Sequence, residues 1–386
     1  MSPNNSISVG IDASNIRQGG GITHLSNIIK YLDPESSSIS RVIIWSNQTT
    51  LEGISDKPWL EKHNHPLLEG NIFSRTLWQI FFLQPQLRSL ECDLLFVPGG
   101  WYVINFEPTV TMNQNLLPFE WGEIARYKFS LRAIKFILLR ILHKFSFKKS
   151  AGVIFLSSYS KEIVEQTFRR FKARRVIIPH GIDKKFFQEP RDQLPIDHYT
   201  PQNPFKIIYV STIDLYKHQW NVVKAASYLI KLGYPIRLDL YGPSNKKALK
   251  ILQKAIDKYD HEGNSIQYNH EIKHSEILNI YKTADLSIFS SSCETFGQIV
   301  LESMASGLPI ACSNLSAMPE ILGDGGIYFN PLDIEDIQNS LKTLIDSNKK
   351  REEVARKAYK RAESYSWDKA SLHTFSFIND VFEEKK

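Results

Sequence analysis

Short runs of β-branched and apolar residues alternate along the chain with longer segments in which apolar residues recur every three or four positions. Such runs are typical of buried parallel strands. They are ISVGIDA, RVIIWS, DLLFVPG, TVTMNQ, GVIFLS and RVIIPH, then KIIYVS, RLDLYG, LSIFSS, LPIACS and GGIYFN. The segments between them predict amphipathic helices, among them THLSNIIKYL and SKEIVEQTFRRF, the latter with Ser160 as its N-cap. Strand–helix alternation that starts twice predicts an α/β chain with two doubly wound, Rossmann-like parallel-sheet domains.

The two predicted domains are separated by a stretch with four prolines and little periodicity, residues 185–204. We expect residues 1–190 to form the first domain and residues 204–366 the second. A last amphipathic segment, residues 367–386, predicts a final helix. Ligands of open α/β sheets bind outside the carboxyl ends of the strands. We therefore expect the functional residues in the loops at those ends, facing a cleft between the domains.

Composition and charge narrow the class of protein. The three cysteines, Cys92, Cys293 and Cys312, lie far apart without a CxxC spacing, which disfavours a disulfide framework or a zinc site and favours a reducing cytoplasm. The N-terminal residues do not have a signal-peptide pattern, and no stretch reaches the ~20 apolar residues that span a bilayer. The net charge of +6 lies in the first half, because residues 1–203 contain 24 Lys and Arg against 18 Asp and Glu. That half is the better candidate for contact with an anionic surface.

The stretch CETFGQIVLE, residues 293–302, combines two features that suggest different chemistry. Gly297 stands between a predicted strand and a predicted helix, and the start of a helix favours an anion. Glu294 and Glu302 are carboxylates, which repel anions but accept hydrogen bonds and can act as acid or base. The spacing alone leaves open an ordinary strand–helix turn with a solvated Glu294.

Two further segments carry candidate residues. Lys217, in STIDLYKHQW, directly precedes a predicted helix, where its charge could meet a phosphate; a solvated surface lysine is the alternative. Gly19, Gly20 and Gly21 follow the first predicted strand and precede a predicted helix, where backbone could approach a ligand closely. The glycine spacing is not GxGxxG, so dinucleotide binding loses support, and a flexible loop is the alternative.

Taken together, these motifs resemble the retaining family-4 glycosyltransferases of the GT-B fold. CETFGQIVLESMASGLPIACSN is similar to that family's E-x7-E motif and the strand after it, and VIIPHGIDKKFF, residues 176–187, is similar to its I-P-N-G-V-D stretch. The segment FLSSYSKE, residues 155–162, and the region of Trp367 also fit, in the same order along the chain. The resemblance implies two Rossmann-like domains facing a cleft, with the C-terminal helix crossing back to the first domain.

The resemblance also implies roles for individual residues. Glu294 would contact a hydroxyl of the donor sugar, Glu302 the ribose hydroxyls, and Lys217 the leaving diphosphate. Backbone amides would bind sugar and diphosphate oxygens and the base; they belong to Gly20, Gly21, Phe296, Gly297, Gln298, Ile299 and, for the base, the region of Ile272.

Two positions depart from the family pattern. Thr212 stands where the family usually has an arginine five residues before the lysine, so one positive charge is missing at the diphosphate. Gln114 and Asn115 stand where many members have a histidine in an H-D-x-x-P loop, and we expect them to position the sugar or the acceptor. A retaining mechanism with front-face attack needs no enzymic base, because the departing phosphate can take the proton.

The segment RYKFSLRAIKFILLRILHKFSFKK, residues 126–149, contains eight Lys and Arg and no acidic residue. Its apolar residues recur at helical spacing along one face: Ile134, Ile137, Leu138, Ile141, Leu142 and Phe145. This pattern is typical of an interfacial helix that docks on anionic lipid, and a helix packed in the core with a solvated basic side is the alternative.

From the resemblance we expect a retaining, metal-independent hexosyltransferase that uses a nucleotide-diphosphate sugar, UDP-linked, without a cofactor. The expected acceptor is a glycan or a polyprenyl-linked sugar of surface polysaccharide biosynthesis. The expected location is the cytoplasm, peripheral to the inner face of the membrane, and no nucleic-acid partner is expected. A nucleotide-sugar epimerase or hydrolase, or a catalytically silent nucleotide-sugar-binding protein, are the alternatives.

Overall fold

The computed structural model describes residues 6–17, 19–168, 171–260, 263–272 and 276–386. Their contacts divide the chain into two compact units. The first unit comprises Met1–Ile124, Lys128–Gly181 and Ser366–Lys386, and the second comprises Ala125–Tyr127 and Ile182–Tyr365, the undescribed residues aside.

The first unit is built on a seven-stranded parallel sheet with the strand order β3-β2-β1-β4-β5-β6-β7. Its strands are β1 (Ile7–Asp12), β2 (Ile39–Trp45), β3 (Leu60–His63), β4 (Leu94–Val97), β5 (Thr109–Asn113), β6 (Gly152–Phe155) and β7 (Arg174–Ile177). The order reverses between β1 and β4, which is the switch point where such sheets bind ligands.

Helices cover the faces of this sheet and connect its strands. They are α1 (Gly20–Lys30), α2 (Pro34–Ser37), α3 (Gln48–Glu52), α4 (Pro66–Glu69), α5 (Ile72–Trp78), α6 (Gln84–Ser89), α7 (Trp121–Arg126), α8 (Leu131–Lys149) and α9 (Ser158–Phe168). A π-helical turn, Gln79–Leu83, joins α5 to α6. The predicted N-cap of α9 is wrong: Ser160 lies inside the helix, and its amide donates to the hydroxyl of Ser157, 3.1 Å away.

The second unit contains a six-stranded parallel sheet with the order β10-β9-β8-β11-β12-β13, which reverses between β8 and β11. Its strands are β8 (Phe205–Val210), β9 (Ile236–Tyr241), β10 (Ile266–Tyr268), β11 (Leu286–Phe289), β12 (Ile310–Ser313) and β13 (Ile327–Phe329). Its helices are α10 (Gln219–Lys231), α11 (Lys246–Tyr259), α12 (Ile277–Thr283), α13 (Gln298–Ala305), α14 (Met318–Leu322), α15 (Ile334–Asp346) and α16 (Asn348–Ala362).

The predicted fold of two doubly wound parallel sheets is therefore confirmed. Each of the eleven predicted apolar runs contains a strand. The two strands that the pattern missed, β3 and β10, lie at sheet edges. Their sequences, LEKH and IQY, are short and partly polar, because an edge strand is only half covered by the fold.

The segment that the sequence suggests as a linker, residues 185–204, packs on the second unit. Arg191 forms an ion pair with Asp285 at 2.7 Å. Gln193 accepts a hydrogen bond at 3.2 Å from the guanidinium of Arg351, which is completely buried. Buried arginine and paired carboxylate thus fix this segment to the second unit.

The final helix, α17 (Trp367–Glu383), returns to the first unit, as expected. The hydroxyl of Ser371 donates to the carbonyl of Ile28 on α1 at 2.6 Å. Gly152 on β6 permits this packing, since a Cβ there would lie 2.9 Å from the ring of Phe377. The helix thereby closes the core of a unit whose other residues come from the start of the chain.

Candidate active site

The candidate site of the second unit lies at the switch point of its sheet. Lys217 ends a 3₁₀ turn, Leu215–Lys217, that follows β8. Glu294 follows β11, the neighbouring strand on the other side of the reversal. Because the carboxyl ends of adjacent parallel strands meet at one edge of the sheet, the fold brings the two predicted residues together.

The ammonium of Lys217 and the carboxylate of Glu294 form a direct ion pair. The side chains are 8% and 17% exposed, so the pair is largely withdrawn from solvent. The same ammonium lies 4.6 Å from the ring centroid of Phe289 and 5.0 Å from that of Tyr216, within cation–π range. The solvated surface lysine that the sequence left open is therefore excluded for Lys217.

Hydrogen bonds fix the backbone that carries Lys217. Its carbonyl accepts from the hydroxyl of Tyr209 on β8 and from the hydroxyl of Ser290 after β11, each at 2.7 Å. Burial raises the pKa of Tyr209 well above its ordinary value, so this phenol stays a neutral donor. The two strand ends thus hold the lysine in one place before any ligand binds.

Gly297 occupies a conformation that only glycine adopts readily. Its φ is +94° and α13 begins at the next residue, Gln298. A Cβ at this position would lie 2.4 Å from the terminal methyl of Met318. The turn therefore needs glycine for two reasons, backbone conformation and close packing. It places the amides of Gln298 and Ile299 in the first turn of α13, where the helix dipole favours an anion.

Glu302, in contrast, faces a different neighbour. It is 7% exposed and its carboxylate accepts a hydrogen bond from the hydroxyl of Tyr281 on α12 at 3.1 Å. Burial raises the pKa of Glu302 to about 7, against the weaker opposing effects of Tyr281 and Lys185. Glu294 and Glu302 thus have separate partners, which does not favour a shared-proton acid/base pair.

The remaining predicted residues of this unit are placed as follows. Thr212 is exposed and Gln219 donates from its side-chain amide to the Thr212 carbonyl at 3.0 Å. The side chain of Phe296 is buried against Tyr365, so only its backbone is available to a ligand. Ile272 is half-buried and lies next to residues 273–275, which are outside the described part of the chain.

The candidate site of the first unit is a cavity of about 490 Å³ at the switch point of its sheet. Its wall includes Asn15 after β1, Gly99 and Trp101 after β4, and Gln114 and Asn115 after β5. Gln114 and Asn115 thus lie in the wall of a cavity of ligand size, and their role in positioning the sugar or the acceptor stays a prediction.

The glycines of this unit lie slightly differently from the prediction. Gly20 and Gly21 do not precede the helix but form its first turn, with Gly19 as the N-cap at φ +59°. Gly21 lines the cavity and a Cβ on it would lie 3.5 Å from the Gln114 side chain, whereas Gly20 is exposed. Their contact with a diphosphate stays a prediction.

His143 also lines this cavity, and the sequence analysis missed it. It lies on α8, and its Nδ1 donates to the carbonyl of Leu139 at 2.7 Å. Burial lowers the pKa of His143 to about 4, so the ring is neutral near pH 7 and its Nε2 is a hydrogen-bond acceptor. In the sequence, the one indication that His143 faces the interior is its position on the side of α8 opposite the apolar residues from Ile134 to Phe145.

The described residues contain neither a metal-binding cluster nor a membrane-spanning helix. No group of three or more His, Cys, Asp and Glu side chains in the described ranges lies close enough to hold a metal ion. None of the helices that the structure describes is long and apolar enough to cross a membrane.

Comparison with known proteins finds a family match for most of the second unit. Residues 190–361 match the sequence model described as "Glycosyl transferases group 1". The chain is 24% identical over 172 residues to the O-antigen chain mannosyltransferase B of Escherichia coli, covering 44% of each protein. It is 35% identical over 101 residues to the sulfoquinovosyl transferase SQD2 of Arabidopsis thaliana, covering 25% of this chain and 20% of that one. The chain thus matches less than half the length of either relative.

Solved structures resemble the whole chain. Sucrose-phosphate synthase from Thermosynechococcus elongatus superposes with a TM-score of 0.76 at 16% identity, over 98% of this chain and 100% of that one. The Anabaena protein HepE, solved in complex with UDP-glucose, superposes with a TM-score of 0.68 at 17% identity over the same shares. At this identity the likeness establishes the fold. The chain therefore has the GT-B fold, and its residues 190–361 match the glycosyl transferases group 1 domain.

Proposed function

We propose that the protein is a retaining hexosyltransferase that uses a nucleotide-diphosphate sugar as donor and a glycan or lipid-linked sugar as acceptor. The observation that carries this proposal is the placement of the Lys217–Glu294 pair at the switch point of the second sheet. A buried cation and a glycine-started helix suit a leaving diphosphate, and a neighbouring carboxylate suits a sugar hydroxyl.

Each polar group receives a separate part of the donor in this proposal. Lys217 and the amides of the first turn of α13 bind the diphosphate, Glu294 accepts from a sugar hydroxyl, and Glu302 accepts from the ribose. The acceptor oxygen attacks the anomeric carbon while the bond from that carbon to the diphosphate oxygen breaks. The proton of the acceptor hydroxyl passes to the departing diphosphate, so no side chain has to act as base, and attack on the face of departure retains the configuration.

Positive charge is most valuable where negative charge develops, which is the departing diphosphate. We propose that Lys217 and the α13 dipole supply it without a metal ion. Thr212 provides only a hydroxyl where a second cation would help, and that makes Lys217 the more important. Activity that survives EDTA would agree with this assignment, and activity restored only by Mg²⁺ or Mn²⁺ would contradict it.

The proposed donor is a UDP-hexose. The HepE structure contains UDP-glucose, which supports UDP, whereas the E. coli relative is named a mannosyltransferase and directs attention to GDP-mannose as the competing donor. A thermal-shift screen of UDP-, GDP- and ADP-sugars decides between them: stabilisation by UDP-sugars alone supports the proposal. Turnover of the donor into its epimer, or donor binding without transfer to any acceptor, would instead favour the epimerase or the silent binding protein.

We further propose that the protein works in the cytoplasm, on an anionic membrane surface. Helix α8 buries Phe136, Leu139 and Phe147 and turns the predicted apolar face outward. Ile134 and Phe145 on that face are 62% and 63% exposed, so the alternative of a face packed in the core does not apply to them. An apolar face beside basic residues matches an interfacial helix on anionic lipid.

A further inference from the structure

The cavity of the first unit is lined by three cationic side chains and by no carboxylate. Arg17, Arg75 and Lys135 line it, together with neutral Asn, Gln and His side chains. In the described part of the chain none of these three cations forms an ion pair. Unpaired cations that line a shared cavity repel one another unless an anion joins them.

Neutral oxygen atoms hold both guanidinium groups in place. Arg17 donates to the carbonyl of Gly70 at 2.7 Å, and Arg75 donates to the carbonyl of Ser14 and the side-chain oxygen of Asn15, each at 2.9 Å. These bonds orient the two groups without a direct ion pair. Arg17 also donates to the carbonyls of Leu68 and Glu69, and Arg75 to that of Asn71, so the guanidinium groups are held rigidly before any anion binds.

Two carboxylates interact electrostatically with the cavity arginines, Asp12 with Arg75 and Glu69 with Arg17, but both accept hydrogen bonds from neutral donors. Asp12 accepts from the side-chain amide of Gln79 at 2.6 Å, and burial raises its pKa, against the opposing charge of Arg75. Glu69 accepts from the side-chain amide of Asn64 at 2.6 Å. Neither carboxylate pairs directly with a cavity cation.

The pKa values of Arg75 and Lys135 are lowered in part by neighbouring positive charges. Burial first, and then the charge of Arg17, lower the pKa of Arg75, against the weaker opposing charge of Asp12. Burial, and then the charges of Arg132 and Arg75, lower the pKa of Lys135. A bound anion would relieve both effects.

We propose that this cavity binds a phosphate ester carried by the acceptor, with Arg17, Arg75 and Lys135 around the phosphate. Gln114, Asn115 and the neutral His143 offer hydrogen-bonding groups to sugar hydroxyls, and Trp101 contributes an apolar part of the wall. That the bound molecule is the acceptor rests on the proposed function; that the cavity takes an anion does not. A volume of about 490 Å³ is sufficient for a phosphorylated sugar.

The test is calorimetric titration of the whole chain with glucose 1-phosphate. Glucose, which lacks the phosphate, is the uncharged control ligand. We expect glucose 1-phosphate to bind and glucose to bind at least tenfold more weakly, because a charge-assisted contact is lost. Lys135→Gln should weaken glucose 1-phosphate about tenfold. Lys144→Gln is the matched control: Lys144 is an exposed lysine of the same helix that does not line the cavity, and its variant should bind like the wild type.

Three outcomes would overturn the inference. They are equal affinity for glucose and glucose 1-phosphate, equal effects of the two lysine variants, or competition between UDP-glucose and glucose 1-phosphate for one site, which would assign the cavity to the donor. A fourth arm uses phosphatidylcholine vesicles with 10% phosphatidic acid. If Lys135→Gln loses these vesicles while Lys144→Gln keeps them, and glucose 1-phosphate never binds, the anion is a lipid headgroup and the acceptor assignment fails. In each case UDP-glucose binding measured in parallel tests the proposed function separately.

Discussion

The side chains of Lys217 and Glu294 form a buried ion pair although 77 positions separate them in the chain. In the absence of donor, each therefore neutralises the other. A diphosphate that binds Lys217 must share it with Glu294 or displace it. Because a buried charge without a partner is costly, donor binding and the rearrangement of this pair are coupled.

Removal of the Lys217 charge should abolish most of the activity. We expect Lys217→Met to lower kcat by about 100-fold or more, since the developing charge of the diphosphate loses its positive contact. Steady-state transfer from UDP-glucose measures it, and Lys231→Met, an exposed lysine of α10, is the control. Activity within a few-fold of the wild type would refute the diphosphate assignment.

The same variant separates stability from catalysis. Lys217→Met leaves Glu294 buried without its cation, so the thermal midpoint should fall. The double variant Lys217→Met/Glu294→Gln removes both charges and should recover much of that midpoint but none of the activity. Recovery of the rate together with the midpoint would mean that the pair is structural only.

Truncation of Glu302 should act mainly on donor binding. We expect Glu302→Ala to raise the donor KM about tenfold with a small change in kcat, because ribose contacts are similar in the ground and transition states. Substrate-saturation curves for donor and acceptor distinguish the two. A fall in kcat at unchanged KM would contradict the ribose role.

The raised pKa of Glu302 predicts a pH dependence of stability. Between its ordinary value of 4.5 and about 7, the folded protein keeps a proton that the unfolded chain has lost. The contribution of Glu302 is therefore complete below pH 4.5 and is lost as the pH rises through 7, by on the order of 1–3 kcal/mol. The thermal midpoint should fall more between pH 5 and pH 8 for the wild type than for Glu302→Gln. Equal falls in the two proteins would show that Glu302 is not the group responsible.

The turn before α13 should tolerate no side chain. Gly297→Ala is expected to destabilise the protein by about 1–3 kcal/mol, through a positive φ and a clash with Met318. Met318→Ala added to it removes the clash but not the backbone strain, so denaturant unfolding should show partial recovery. Full recovery would mean that packing alone requires glycine, and no loss in the single variant would contradict both reasons.

The exposed face of α8 should bind anionic membranes. We expect wild-type protein to co-sediment with vesicles of phosphatidylcholine and phosphatidylglycerol at physiological salt, and Ile134→Ser/Phe145→Ser to stay in solution. Leu372→Ser, at a residue of α17 that is 46% exposed, is the control and should sediment like the wild type. If neither the wild type nor any variant co-sediments with the vesicles, the membrane proposal is wrong.

Much of the fold follows from local pattern, because buried parallel strands such as those of β1 and β8 are apolar on both faces. The contacts between the site residues, in contrast, cannot be predicted from local pattern. Nothing near Lys217 in the sequence indicates Glu294, and nothing near Glu302 indicates Tyr281, since sheet topology and not spacing brings them together. His143 escaped detection for a related reason: the stronger apolar stripe of α8 turned out to be its outer face.

The return of α17 to the first unit has a consequence for the order of events on the ribosome. The first half of the chain emerges early, but the helix that covers Gly152 and Ile28 is synthesised after the whole of the second unit. The second unit can therefore complete its fold before the first, against the usual amino-to-carboxyl order. Until residue 383 has emerged, the nascent first unit exposes the apolar surface that Phe377 will cover, and that is the interval in which a chaperone would matter.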